Sequence, residues 1–340
     1  IYFAIMKKNR TLRILSAVIG GFALVFTTSC EGPQGPAGHD GTDGVDGNAV
    51  CMECHNLTVK NEVTAQYLGS QHAAADYVGY AGGRKGCAMC HSDQGFVETQ
   101  YTGQDTTAAD IASPQAIQCH TCHSFHNSLD FENEPNSALR TSDPVELLMY
   151  RAAGQSVTID LGASSNLCAN CHQPRRMGPD PADDSTRVTS SHYGPHHGPQ
   201  TTSLAGLGAY ELGSGYPNPG EGSTHVTNAD CTTCHMHGSD HHFEPTLDGC
   251  NTTECHNGSI TTLSDNSRQN TFKTLLGTLE TKLKTAGLLD VDGHPVVGTY
   301  PSDEVGALYN YEWILDDRSS GVHNFPYLET LLNNSIAVFP

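Results

Sequence analysis

Twelve of the chain's 13 cysteines form pairs that end in a histidine. Cys51-Met-Glu-Cys54-His55, Cys87-Ala-Met-Cys90-His91, Cys119-His-Thr-Cys122-His123, Cys168-Ala-Asn-Cys171-His172 and Cys231-Thr-Thr-Cys234-His235 place two residues between the thiols, whereas Cys250 and Cys255-His256 are separated by four. Two thiols at such spacing can add across the two vinyl groups of a porphyrin, and the adjacent histidine lies under the ring, where it can bind iron. Cys-x-x-Cys-His is the attachment site of haem c. Four intervening residues can bulge out between the same two anchor points. A zinc ribbon pairs two cysteine knuckles and needs no histidine after each, and a disulfide framework is indifferent to the residue after a cysteine. Six recurrences of the full pattern select haem attachment over both.

The histidine count extends this reading. Nineteen histidines less the six inside the motifs leave 13, and six irons need six further ligands. Methionine is the rival sixth ligand. Met6 stands at the expected start, however, and Met52 and Met89 lie inside attachment motifs, so only Met149, Met177 and Met236 remain. Histidine on both sides of every iron is expected, and with it low reduction potentials.

The elements that must position these ligands are short. Residues 50–260 are expected to form a hexahaem domain, mostly irregular with short α-helices wrapped around a chain of six c-type haems and with little β structure. At 37 % apolar and 7 % aromatic residues, no conventional hydrophobic core is expected, and the porphyrins supply the buried surface. Asp143-Pro144 predicts a helix start, with Asp as cap and Pro in the first turn, directing Val145, Leu148 and Met149 at a haem. Residues 261–340 hold no cysteine and read as a helical buttress. There Phe272, Leu275, Leu276, Leu279 and Leu283 recur at helical spacing, predicting a helix over 270–288, with two more over 304–315 and 327–336. Asp290-Val-Asp-Gly293 reads as a turn rather than a calcium loop.

The other end of the chain reads as an export signal. Residues 1–5 are expected to lie upstream of a start at Met6. Lys7, Lys8, Arg10 and Arg13 precede an apolar run from Ile14 to Phe26, so 6–29 reads as a signal peptide. Thr-Thr-Ser-Cys30 then resembles a lipoprotein cleavage site with Cys30 acylated, although Thr27 departs from the usual leucine and ordinary cleavage is the alternative. Residues 30–49 carry six Gly-X-Y triplets, collagen-like in pattern, but their few prolines favour a flexible tether; His39 within it is a poor ligand candidate. The formal charge is −20. Without the leader's four cations, and with six ferric haems and their propionates, it approaches about −30. Nucleic acid is excluded as a partner, whereas cationic partners and metal surfaces are compatible.

Over most of 50–340 the chain resembles the multihaem c-type cytochromes. The segments CHTCHSFHNSLDF, SSNLCANCHQPRR, HYGPHHGPQ, HHFEPTLDGC and DDRSSGVHNFPYLETLL carry the resemblance. It implies that His323, in a Ser-x-Gly-x-His-Asn start to the last helix, is a distal iron ligand. His241 matches the position of a Gly-His-Thr-Phe distal histidine, with His242 as rival. His72, His126, His225 and one of His196 or His197 complete the implied set, and His120 and His294 are reserves. No Cys-x-x-Cys-Lys motif of the cytochrome nitrite reductases occurs, so the chain is expected to conduct electrons rather than catalyse. In haem number and loop-rich economy it also resembles extracellular cytochrome filaments. The expected partners are therefore copies of itself, redox partner cytochromes or extracellular acceptors, and the outer membrane through the lipid. A monomeric lipid-anchored carrier and a multihaem reductase with one open haem are the alternatives.

Overall fold

Asn56 accepts the Val59 N–H at 2.8 Å and starts α1, Leu57–Leu68, which stops at Gly69. Ser70 caps α2, Gln71–Ala74, in the same way. This computed structural model describes residues 51, 52, 55–126, 130, 133, 134, 138–264 and 266–340. The expected leader at 6–29, Cys30, the 30–49 tether with His39, and Cys54 lie outside the described residues. Asn56–Pro340 make one compact unit, and Cys51, Met52 and His55 belong to a separate unit that ends at His55.

After a π-turn at Val78–Gly82, α3 (Ala88–His91) leads through Ser92 into α4 (Asp93–Thr102). The Ser92 hydroxyl accepts the Gly95 N–H at 3.2 Å. A β-carbon on Gly95 would stand 2.2 Å from the Ala88 carbonyl oxygen, so only glycine lets the two helices meet this closely. Short elements come next along the chain: α5 (Cys119–Cys122), β1 (Val145–Glu146), α6 (Leu148–Ala152), β2 (Thr158–Ile159), α7 (Ala163–Ala169), β3 (Ser185–Val188), α8 (Gln200–Ala205), α9 (Thr224–Asn228), α10 (Cys231–His235) and α11 (Leu247–Cys250). β1 pairs antiparallel with β2, Val145 opposite Ile159. The chain is thus mostly helical and irregular with few, short strands.

The helix expected at Pro144 is displaced. Val145 and Glu146 are drawn into pairing with β2, and the Leu147 N–H donates to the Val157 carbonyl at 2.9 Å. The helix starts only at Leu148, whose N–H is taken by the Gln173 side chain at 2.7 Å. Met149 packs into a side-chain core.

The C-terminal helices fall close to their expected places: α12 is Ser267–Thr285, α13 Ser302–Asp317 and α14 Phe325–Ala337. Asn266 and Gln269 cap α12 reciprocally. β4, Gly298–Pro301, pairs with β3 and ties this end of the chain to residues 185–188. Here the expectation of no conventional core fails. Trp313, Tyr309, Tyr327, Leu308, Leu328, Phe272 and Leu279 are fully buried and pack together with Met149, Val188 and Leu212. Whole-chain composition concealed this concentration of apolar residues. A β-carbon on Gly306 would lie 2.1 Å from the Tyr210 ring, so α13 is small where that loop crosses it. Asn310 satisfies both backbone groups of Tyr210, at 2.9 and 2.8 Å. Among the described residues no helix is long and apolar enough to cross a membrane.

Candidate functional site

On a helix, residues i, i+3 and i+4 share one face. A single turn over Cys-x-x-Cys-His therefore points both thiols and the imidazole the same way. The motifs adopt this form: α3, α5 and α10 lie on the motifs beginning at Cys87, Cys119 and Cys231, and α7 runs into that of Cys168. Asp230 caps α10, accepting the Thr233 N–H and hydroxyl, each at 2.7 Å. The histidine N–H closes the turn on the first cysteine's carbonyl, from His91 to Cys87 at 3.2 Å, His123 to Cys119 at 2.9 Å and His172 to Cys168 at 3.0 Å.

The wider motif reaches the same closure by another route. α11 ends at Cys250 and the chain loops through residues 251–254, yet the His256 N–H still donates to the Cys250 carbonyl at 3.1 Å. Asn251 steadies the loop by pairing with both backbone groups of Ile260, at 2.7 and 2.9 Å. The two extra residues are accommodated outside the anchor points.

Among the described residues, five motif histidines each face a second histidine from elsewhere in the chain. Ring centroids are 6.1 Å apart for His172 and His72, 6.5 Å for His91 and His196, and 6.3 Å for His123 and His241. The separation is 5.9 Å for His256 and His225 and 6.4 Å for His235 and His323. A metal–imidazole bond is about 2 Å, and the ring centroid lies about 1 Å behind the bonded nitrogen. Two imidazoles on opposite sides of one ion therefore stand about 6 Å apart, as these do.

In four of these histidines the outer ring nitrogen is occupied. Nδ1 of His235 lies 2.9 Å from the Phe243 carbonyl, that of His225 2.7 Å from the Val322 carbonyl, and that of His241 2.8 Å from the Ser239 carbonyl. A carbonyl only accepts, so Nδ1 carries the proton in each and Nε2 is left with its lone pair free to bind metal. His323 Nδ1 pairs with Asp317 at 2.7 Å, the carboxylate–histidine contact that orients metal ligands. Burial works to lower the His323 pKa, but the Asp317 charge and hydrogen bond outweigh it and raise it. His72, lowered by burial and then by neighbouring His172, falls to about 4. His196 falls to about 4 through burial, then Arg175 and His197. Both stay neutral at ordinary pH, the form that ligates. The donor set fits haem iron.

The two ambiguous histidine pairs separate geometrically. His196 faces His91, while His197 is held by Asp316 through its Nδ1 at 2.7 Å and its N–H at 3.1 Å. His241 faces His123, while His242 Nδ1 pairs with Asp240 at 2.6 Å. His120 is engaged by Asp93 at 2.8 Å, and His294 closes an exposed turn on Asp290. His126 stands next to Phe125, which is 95 % exposed. None of the 11 described cysteines is in a disulfide.

Sequence reasoning missed the residues that hold several of the candidate histidines. Asp316 and Asp317, at the end of α13, grip His197 and His323, and Val322 grips His225, so the segment 316–323 serves three neighbouring histidines. The paired aspartates in DDRSSGVHN were the available signal.

No protein-family model matches the chain, and comparison with curated proteins finds no match. Among solved structures the chain is similar to Outer Cell Wall Cytochrome OcwA, at 18 % identity and a TM-score of 0.49, over 79 % of this chain and 48 % of that one. It is also similar to an undecahaem cytochrome from the S-layer of Carboxydothermus ferrireducens, at 17 % identity and a TM-score of 0.41, over 90 % of this chain and 42 % of that one. The chain spans less than half the length of either protein.

Proposed function

We propose that the chain is a multihaem c-type cytochrome that conducts electrons at or outside the cell surface. One observation carries this reading: a histidine directly after a cysteine pair stands about 6 Å from a second histidine, and the arrangement repeats in five separate places. The cysteine pairs would hold six haem c groups covalently, including one on Cys51, Cys54 and His55. His72, His196, His225, His241 and His323 would complete five irons. Iron bound by two histidines has no open position and exchanges single electrons, which favours a conductor over a reductase. The protein's part is to fix ring placement and potential.

The finer form of the proposal is a subunit that stacks head to tail into a filament. Tyr77 lies 6.5 Å from His91 and is itself 63 % exposed, so this site adjoins solvent where a neighbour could be met. Burying such surface against an unlike face is favourable by area, and a contact of that kind which does not close gives an open filament. The export signal and Cys30 support the alternative of a lipid-held monomer. Intact-protein mass after acid-acetone extraction tests the cytochrome reading: six covalent haem increments are expected, and fewer than five would overturn it. Thin haem-containing fibres in sheared surface material would favour the filament. Protein that stays monomeric at high concentration would favour the carrier.

A further inference from the structure

Phe243 occupies a backbone conformation that a bulky side chain avoids, with φ +61°. The left-handed region is costly for any residue other than glycine, and such outliers persist where the surroundings hold them in place. The surroundings here belong to three different histidine pairs. The Phe243 ring meets His72 edge-on at 4.8 Å and His241 edge-on at 5.7 Å. Its carbonyl takes the Nδ1 proton of His235 at 2.9 Å. One residue thus touches the pairs His72–His172, His123–His241 and His235–His323.

The motif turns converge in the same way. The Cys168 and Cys231 turns adjoin: the Cys231 N–H donates to the Ser165 hydroxyl at 3.0 Å, and the Ser164 and Thr232 hydroxyls meet at 3.0 Å. The Cys90 and Cys171 turns also abut, each thiol reaching the other turn's backbone, at 3.9 and 3.7 Å.

Resting on the cytochrome reading above, we propose that Phe243 is a positioning residue shared by three ligand pairs. Its ring fixes the rotation of the His72 and His241 imidazoles, and its carbonyl fixes the tautomer and rotation of His235. The left-handed backbone is what allows ring and carbonyl to serve different pairs. The sites on the Cys119, Cys168 and Cys231 motifs then meet at one junction instead of running in single file.

The relative rotation of two axial imidazoles sets the paramagnetic signature of a low-spin ferric haem, so the role is readable without an activity assay. In Phe243→Gly the backbone conformation is relieved and the carbonyl remains, but the ring is lost. Electron paramagnetic resonance of the oxidised holoprotein is expected to show two of the low-spin signals shifted and the others unchanged. Phe243→Tyr, which keeps the ring, should restore the wild-type spectrum. Signals identical to wild type in Phe243→Gly, or equal shifts in all of them, would overturn the role. Covalent haem is counted by mass on the same samples. Full haem with an unmoved spectrum defeats only the role of Phe243, whereas wild-type protein without covalent haem defeats this inference and the cytochrome reading together.

Discussion

The segment that carries the attachment motifs and the C-terminal segment beyond them solve burial differently. In α1, an ordinary 12-residue helix, no residue is buried, and Leu57 and Leu68 are 74 % and 68 % exposed. In α13 and α14, Trp313, Leu308, Tyr327, Leu328, Leu331 and Leu332 have no exposed surface. The second segment folds on its own side chains, at roughly 1.5–3 kcal/mol for each large apolar group buried. The first leaves α1 uncovered by other side chains and holds a small cluster further along, made by Val145, Leu147, Ile159 and Ala169. The two segments meet at 316–323, where Asp316 at the end of a cored helix holds His197 and the Val322 carbonyl holds His225, both from the other segment, while Asp317 holds His323 of its own segment. A region without a cysteine motif thus orients histidines that stand opposite those of the motifs.

Equal substitutions on the two sides should break this symmetry most visibly. Leu328→Ala is expected to cost about 2–5 kcal/mol, and Leu68→Ala less than about 0.5 kcal/mol, as read by thermal or denaturant unfolding of the holoprotein. Comparable losses would mean that Leu68 is covered in the holoprotein. Next in size is the link between the segments. His323→Ala should keep every haem attached, because the thioethers and the proximal His235 do not depend on it, while one iron turns high-spin. An unchanged spectrum would separate the C-terminal segment from ligation. Asp317→Asn should keep that iron low-spin but raise its potential, since a less basic imidazole stabilises the ferric state less; spectroelectrochemistry reads the shift.

The smallest effect concerns Glu312 on α13. Burial, then the Asp316 charge, lift its carboxyl to about 8, against a partial offset from His197, and Oε1 has no hydrogen-bond partner. Between the unfolded value near 4.5 and about 8, the folded state holds more protons than the unfolded one, so stability falls as pH rises through that window. Glu312→Gln should remove this dependence and raise Tm at pH 8 by about 2 °C, with little change at pH 4. A variant that melts earlier at pH 8 would show that the carboxylate is stabilising there.

The range of each signal decides how much of the molecule is legible in its sequence. The motif turns, the three C-terminal helices and the reciprocal cap at Asn266 depend on neighbours within a few residues, and spacing alone marks them. The segment after Pro144 departs from its local pattern because its fate is decided by Ile159 and Gln173, which a local rule does not see. The core is hidden because composition averages over 340 residues while its members cluster near the end of the chain. Which histidine of 196/197 and of 241/242 faces a motif partner also depends on distant or branching contacts, with Asp316 holding one rejected ring and Asp240 the other. The Gly-His-Thr-Phe match covers Phe243, but neither its left-handed backbone nor its three neighbours is written in spacing.

The central claim is that each motif histidine shares one iron with a second histidine. Electron paramagnetic resonance of the oxidised wild-type protein, with spins counted against covalently bound haem, tests it most directly. The account predicts that all the ferric haem is low-spin. A high-spin signal amounting to one full haem per chain would contradict it, and would mark an open iron and a catalytic protein.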